Sequence, residues 1–268
     1  MSAMACMSAA TAQSMTRNFN FPNFDAISLS GAMNVTLIQS NIHSIAITAD
    51  RELIDKVTVS VAQGKLSLSL NTSRLTARQK RMLKNSMIRA NITMPILTGM
   101  EMWGAIQLST VGDFHAQNLI CQLNGSSQIS NLSMTASTTH IEIGGASSAR
   151  ISGNLGEVAV KVSGVSQAII DAAADTLMVD AGGASQIRLT GNTARIVIST
   201  SGASQINAGN LIASVGSVSA SGASSATVHV KESLRVSAGG TSSVSYIGNP
   251  RLDTGSVSRG ATIRRKNF

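Results

Sequence analysis

From Gly125 onwards, apolar and polar residues alternate in a pattern that restarts about every nineteen positions. A short phrase marks each restart: Gly125-Ser126-Ser127-Gln128, Gly145-Ala146-Ser147-Ser148, Gly164-Val165-Ser166-Gln167, Gly183-Ala184-Ser185-Gln186, Gly202-Ala203-Ser204-Gln205, Gly222-Ala223-Ser224-Ser225 and Gly240-Thr241-Ser242-Ser243. These glycines step by 20, 19, 19, 19, 20 and 18 residues, and Gly104 lies 21 before the first. With each glycine counted as zero, position two is serine and position three is glutamine or serine. Positions four and six are mostly apolar, as in Ile187 and Leu189. A period of two predicts a strand with one buried face. A second alternation leads up to each following glycine, as in Val158, Val160, Val162 or Leu177, Val179, Ala181. Gly153-Asn154, Gly191-Asn192 and Gly209-Asn210 fall between the two runs and read as turns.

A fixed period of this size is the mark of a solenoid whose coils stack on one another. Leucine-rich repeats need a leucine and asparagine scaffold, and left-handed hexapeptide helices need an apolar residue every six; neither pattern is here. Calcium-binding nonapeptide repeats need an aspartate column that the coils lack. The reading is an all-β, right-handed parallel β-helix with about 19 residues per coil. Stacking in register places like on like, so Gln128, Gln167, Gln186 and Gln205 form an outward ladder with Ser148, Ser225 and Ser243, beside columns of small residues at the glycine corner. Cys121 falls on an inward position and is expected to be a buried, inert thiol.

The first half has strands of the same kind with irregular connections: Phe24 to Leu37, Ser44 to Thr48, Val57 to Val61 and Gly64 to Leu70. These predict less regular first coils and a cap on the open end. Asp50-Arg51-Glu52-Leu53-Ile54-Asp55 reads as a short helical loop. Residues 71–89 form a basic insert in which Leu75, Met82, Leu83 and Met87 stand at roughly helical spacing. The preferred reading is a helix or loop laid on the flank of the solenoid. The functional alternative is an anionic-surface contact through Arg74, Arg78, Lys80, Arg81, Lys84 and Arg89. Gly255 to Ile263 reads as a terminal strand, and 264–268 as a basic tail.

Composition fits this architecture: 13% charged, 3% aromatic, 23 glycines and three prolines in 268 residues. The net charge of +8 would suggest an anionic partner. The charge is concentrated in the insert and in Arg259, Arg264, Arg265 and Lys266, and aromatics for stacking on bases are scarce, so no nucleic-acid partner is expected. No run approaches the ~18 apolar residues of a membrane span. Residues 1–23 read as a signal-peptide remnant and linker, with Ala10-Thr11-Ala12 as the cleavage motif and Cys6 as an alternative acylation site. Export to periplasm, outer envelope or extracellular space follows. Residues 24–263 form a single β-helical domain on this reading.

Phe24-Asp25-Ala26-Ile27, then Ser30-Gly31-Ala32, the repeated Ser-Gly-Ala-Ser phrases and a closing Tyr246-Ile247-Gly248-Asn249-Pro250 together resemble the head GIN domain, an auto-transporter-adhesin type of domain whose function is not established. The resemblance runs from about Phe24 to Ile263. It implies a bacterial, exported β-helical protein and brings no catalytic residues; the basic insert is not part of the pattern.

Other parallel β-helices cleave polysaccharides, with paired carboxylates or a base beside acidic metal ligands on adjacent coils. Asp171, Asp175 and Asp180 are the acidic cluster of the regular coils, but each has a different repeat offset, and His43, His115, His140 and His229 are widely separated. The seven serines at position two lack matching bases and read as a hydrogen-bonded corner. A non-enzymatic interaction scaffold is therefore expected, with no cofactor and no metal, and with surface polysaccharide or another envelope protein as partner. The rival readings are a polysaccharide-active enzyme and a basic module for anionic membranes or glycans.

Overall fold

The computed structural model describes residues 14–85 and 87–267; Cys6 and the Ala10-Thr11-Ala12 motif lie outside the described residues. The fold is a right-handed parallel β-solenoid, and its coils stack on a core that runs without a break from Phe24 to Val244.

In the regular part each coil is one long strand: β9 (Gln128–Ile143), β10 (Ser148–Val162), β11 (Gln167–Ala181), β12 (Gln186–Thr200), β13 (Gln205–Ala220) and β14 (Ser225–Ala238), each parallel to the next. The predicted turn at Gly153-Asn154 is instead a bend inside β10, through which backbone pairing with β11 continues. Gly153 makes the bend at φ 136°, where a Cβ would lie 1.9 Å from the Met134 carbonyl oxygen below. Gly191 repeats this against Ala172. The chain thus turns a corner without leaving the ladder; at Gly153 and Gly191 the missing Cβ lets the coil rest directly on the one below, while Ala172 takes the same place in β11.

The glycine opening each phrase makes a second corner. Gly125, Gly145, Gly164, Gly183, Gly202, Gly222 and Gly240 all have positive φ and stand in one column, each against the carbonyl of the glycine below. The amide one residue later donates to that same carbonyl, as Ala184 N does to Gly164 O at 2.8 Å. Serine at position two turns inward, and Ser127, Ser147, Ser166, Ser185, Ser204, Ser224 and Ser242 are all buried. Most satisfy their hydroxyls on corner carbonyls, for instance Ser204 Oγ on Ala181 O and Ser201 O.

The first half builds its layers out of chain order. The elements are β1 (Ser14–Phe19), β2 (Ala26–Gln39), β3 (Ser44–Asp50), α1 (Arg51–Ile54), β4 (Val57–Ala62), β5 (Lys65–Leu70), a 3-10 turn (Thr72–Arg74), α2 (Ala77–Asn85), β6 (Arg89–Met94), β7 (Gly99–Val111) and β8 (Asp113–Gly125). Strand β2 is a full coil, with β7 on one side and both β5 and β6 on the other. Below these, β4 pairs antiparallel with β5, β3 with β6, and β1 with β3. The helices close this end: Leu53 and Ile54 of α1, Leu75, and Leu83 of α2 join the core. Gln79 Nε2 and the Arg78 guanidinium reach across to Glu52, at 3.4 and 2.8 Å. The insert acts at this end as a plug: Leu75 and Leu83 join the core, while Arg74, Arg78, Lys80 and Arg81 stay exposed.

At the other end, β15 (Ser243–Ile247), β16 (Arg251–Val257) and β17 (Thr262–Arg265) continue the stack. Strand β16 lies on β14 and β17 on β15. The expected single terminal strand is therefore two, because the turn at Arg259-Gly260 carries the chain round the glycine corner once more; Gly260 sits over the Gly240 carbonyl.

Candidate functional site

Register decides which side chains share a face. Gln128, Ser148, Gln167, Gln186, Gln205, Ser225 and Ser243 align one above another across seven coils. Their side chains point outward because the serine before each is buried and the pleat alternates. Gln167 Nε2 donates to Gln186 Oε1 at 3.4 Å, and backbone bonds such as Gln186 N to Ser166 O at 2.9 Å hold the row at strand spacing. The row extends further than the glutamines singled out from sequence. Gln107 pairs with Gln128, Asn34 with Gln107, and Arg89 with Asn34.

Two residues further along each strand lies a parallel outward column containing Arg150, Ile169, Arg188, Asn207 and Thr227. Between the two columns, Gln167, Gln186, Gln205, Ile169, Arg188 and Asn207 line a shallow cleft of about 210 Å³. A cleft of about 320 Å³ on the same face holds Asn34, Arg89, Gln107 and Ser109. The buried Asn34 Oδ1 has no protein hydrogen-bond partner. No ion pair among the described residues involves Arg89, Arg150 or Arg188. The face is a polar strip of amide donors and acceptors punctuated by guanidinium groups.

The basic residues of the insert do not stay together. Arg74 ends the 3-10 turn and is exposed, Arg78 is paired with Glu52, and Lys80 and Arg81 are exposed on α2. The Lys84 side chain lies outside the described residues. Arg89 belongs to β6 and to the amide row instead. Sequence proximity grouped it with the helix; only the pairing of β6 under β2 shows where it faces.

The remaining candidates are not assembled into a reaction centre. Asp171 aligns with Ser152 and Thr190, and Asp180 with Lys161 and Ser199, so they occupy different columns; Asp175 stands at an exposed position between them. His43 Nε2 is bonded to Phe24 O at 2.9 Å, with its ring edge-on to Phe24. His140 lies 3.4 Å from Glu142. Among the described residues there is no group of three or more His, Cys, Asp or Glu placed to hold a metal ion. Cys121 is fully buried between coils, and burial pushes its thiol pKa up to about 12. It is therefore held as the neutral thiol, as its inward position predicted.

A family model described as "Putative auto-transporter adhesin, head GIN domain" matches residues 23–172 and 157–250. The fold is similar to a "putative adhesin" from Parabacteroides merdae (TM-score 0.67, 16% identity, covering 95% of this chain and 96% of that one). It is also similar to a "putative adhesin" from Parabacteroides distasonis (TM-score 0.67, 14% identity, 94% and 97%). A "putative lipid binding protein" from Parabacteroides distasonis is similar to the same degree (TM-score 0.65, 15% identity, 94% and 96%). At these identities the likeness is one of fold. Among curated proteins there is no match.

Proposed function

Because this chain belongs to the head GIN domain family, we propose that it is an exported, non-enzymatic scaffold that holds surface polysaccharide or another envelope polymer along its outward amide row. The row itself carries the reading. Gln107 and Gln128 stand on successive coils, and so do Gln167, Gln186 and Gln205, with Ser148 on the coil between the two runs, at about 4.8 Å per coil. A repeating ligand can meet a repeating face at many weak contacts at once, and affinity then comes from multivalency rather than from one deep pocket. The separation of Asp171, Asp175 and Asp180 into different columns supports binding without bond cleavage. Export is supported by the Ala10-Thr11-Ala12 motif and by the family's description; no helix among the described residues is long and apolar enough to cross a membrane.

A glycan array probed with the intact protein and with the Gln167→Ala, Gln186→Ala, Gln205→Ala triple variant tests the reading. The expected result is retention of a class of surface polysaccharide, weakened stepwise as amides are removed while stability is unchanged. Binding that ignores these glutamines but disappears when Arg74, Lys80 and Arg81 are replaced, and that transfers to anionic vesicles, would move the function to the helical plug.

A further inference from the structure

Trp103 is the chain's one tryptophan, and it is half exposed, at 50%, on the glycine corner. It falls one place before Gly104, in register with Ser30 below and Asn124 above, and Ser30 in turn pairs with Ser69. In the later coils this position holds Gly144, Ser163, Gly182, Ser201, Ser221 and Gly239. A large apolar ring thus stands out from a ribbon whose later coils carry only glycine or serine at this position. An exposed indole with polar groups around it is the feature by which a surface offers stacking area at little conformational cost.

The surroundings are shaped to match. A shallow cleft of about 750 Å³ runs along Gly31, Gly104 and Gly125, with Ala32, Leu70 and Ala105 also in its lining. Trp103 and the Asn71–Ser73 turn also line it. Asn71 Oδ1 accepts from Ser73 N at 3.1 Å and from Ser73 Oγ at 2.6 Å, which fixes the plane of its amide. The other polar groups are the serine hydroxyls of Ser30, Ser69 and Ser126; no charged side chain lines the cleft. An aromatic face beside neutral hydroxyls and an amide fits a ring that is apolar on one side and hydroxylated at its edge.

We infer that the Trp103 cleft binds a neutral pyranose unit of a glycan, stacked on the indole and hydrogen-bonded to Asn71 and the corner serines. The inference rests on the glycan-binding reading above but names a different place, round the corner from the amide row. It also supplies the aromatic platform that the row lacks. Binding here is insensitive to salt, since no charge is neutralised, whereas contacts to the arginines of the amide face weaken as ionic strength rises.

Because Trp103 is the one tryptophan, its fluorescence reports on this cleft in the unmodified protein. The experiment titrates neutral hexasaccharides of glucose, mannose and galactose into the full chain, reading emission and heat together at low and high salt. The expected result is a saturable emission change that coincides with the heat signal at both salt concentrations. Affinity should fall about tenfold or more for Trp103→Ala and be partly kept by Trp103→Phe. Heat of binding that leaves the emission unmoved and survives Trp103→Ala would overturn this site and leave the amide row as the glycan surface. An absence of binding by every hexasaccharide overturns this site, and a blank glycan array beside it overturns both.

Discussion

Replacing Gly183 with alanine puts the corner column under direct test, because its neighbour Gly182 supplies an internal control. Gly183 has φ +72°, and a Cβ there would lie 2.6 Å from the Gly164 carbonyl oxygen and 3.0 Å from the Gly164 nitrogen. A left-handed backbone costs an L-residue about 1–2 kcal/mol. The oxygen it strikes is the acceptor for Ala184 N at 2.8 Å, so relief of the contact sacrifices that coil-to-coil hydrogen bond, worth about 1 kcal/mol. Gly183→Ala should therefore destabilise by about 2–3 kcal/mol. At Gly182 the nearest atom to an added Cβ is Ser201 Oγ at 3.7 Å and φ is not positive. Gly182→Ala should be neutral or stabilising by up to about 1 kcal/mol, through reduced freedom of the unfolded chain. Urea unfolding of the two variants beside the parent reads the difference. Equal midpoints for Gly182→Ala and Gly183→Ala would refute the argument that close coil approach is what demands glycine.

Ser204→Ala removes hydroxyl bonds to Ala181 O and Ser201 O and should cost about 1 kcal/mol, whereas Ser185 Oγ has no protein partner and Ser185→Ala should cost nothing measurable in the same unfolding assay. Cys121 should resist thiol reagents until the protein is denatured. Its pKa is raised from 9.0 to about 12, so the folded state keeps a proton that the unfolded thiol loses, and its contribution to stability declines as pH rises above about 9. Leu83→Ala should loosen the plug by about 2 kcal/mol, the low end for a core leucine at the edge of the core. Hydrogen exchange should then quicken in β3 to β6 and stay unchanged in β11 to β14.

The regular coils were legible because stacking turns a sequence period into columns: an inward serine, an outward glutamine and a corner glycine keep their roles in every coil. The same offset rule could have found Gln107 and Asn34, which stand three places after Gly104 and Gly31. The phrase there has Ile106 or Met33 in place of its serine, so only the count from the glycine marks them. The place of Arg89 was not legible, since it depends on β6 sliding under β2, a pairing between segments more than fifty residues apart. Nor was the role of the insert: Leu75 and Leu83 gave the helical spacing, but only the open end of the core says what they cover. The bends at Gly153 and Gly191 read as turns because a local pattern cannot tell a chain that leaves the ladder from one that bends within it.

Retention of a polymer without cleavage is what separates the proposed scaffold from a β-helical enzyme. The most direct measurement incubates the full chain with each polysaccharide it retains and follows new reducing ends and unsaturated products over time. Retention with no product is expected. Product formation that is abolished by replacing Asp171, Asp175 or Asp180 would contradict it and make the protein an enzyme.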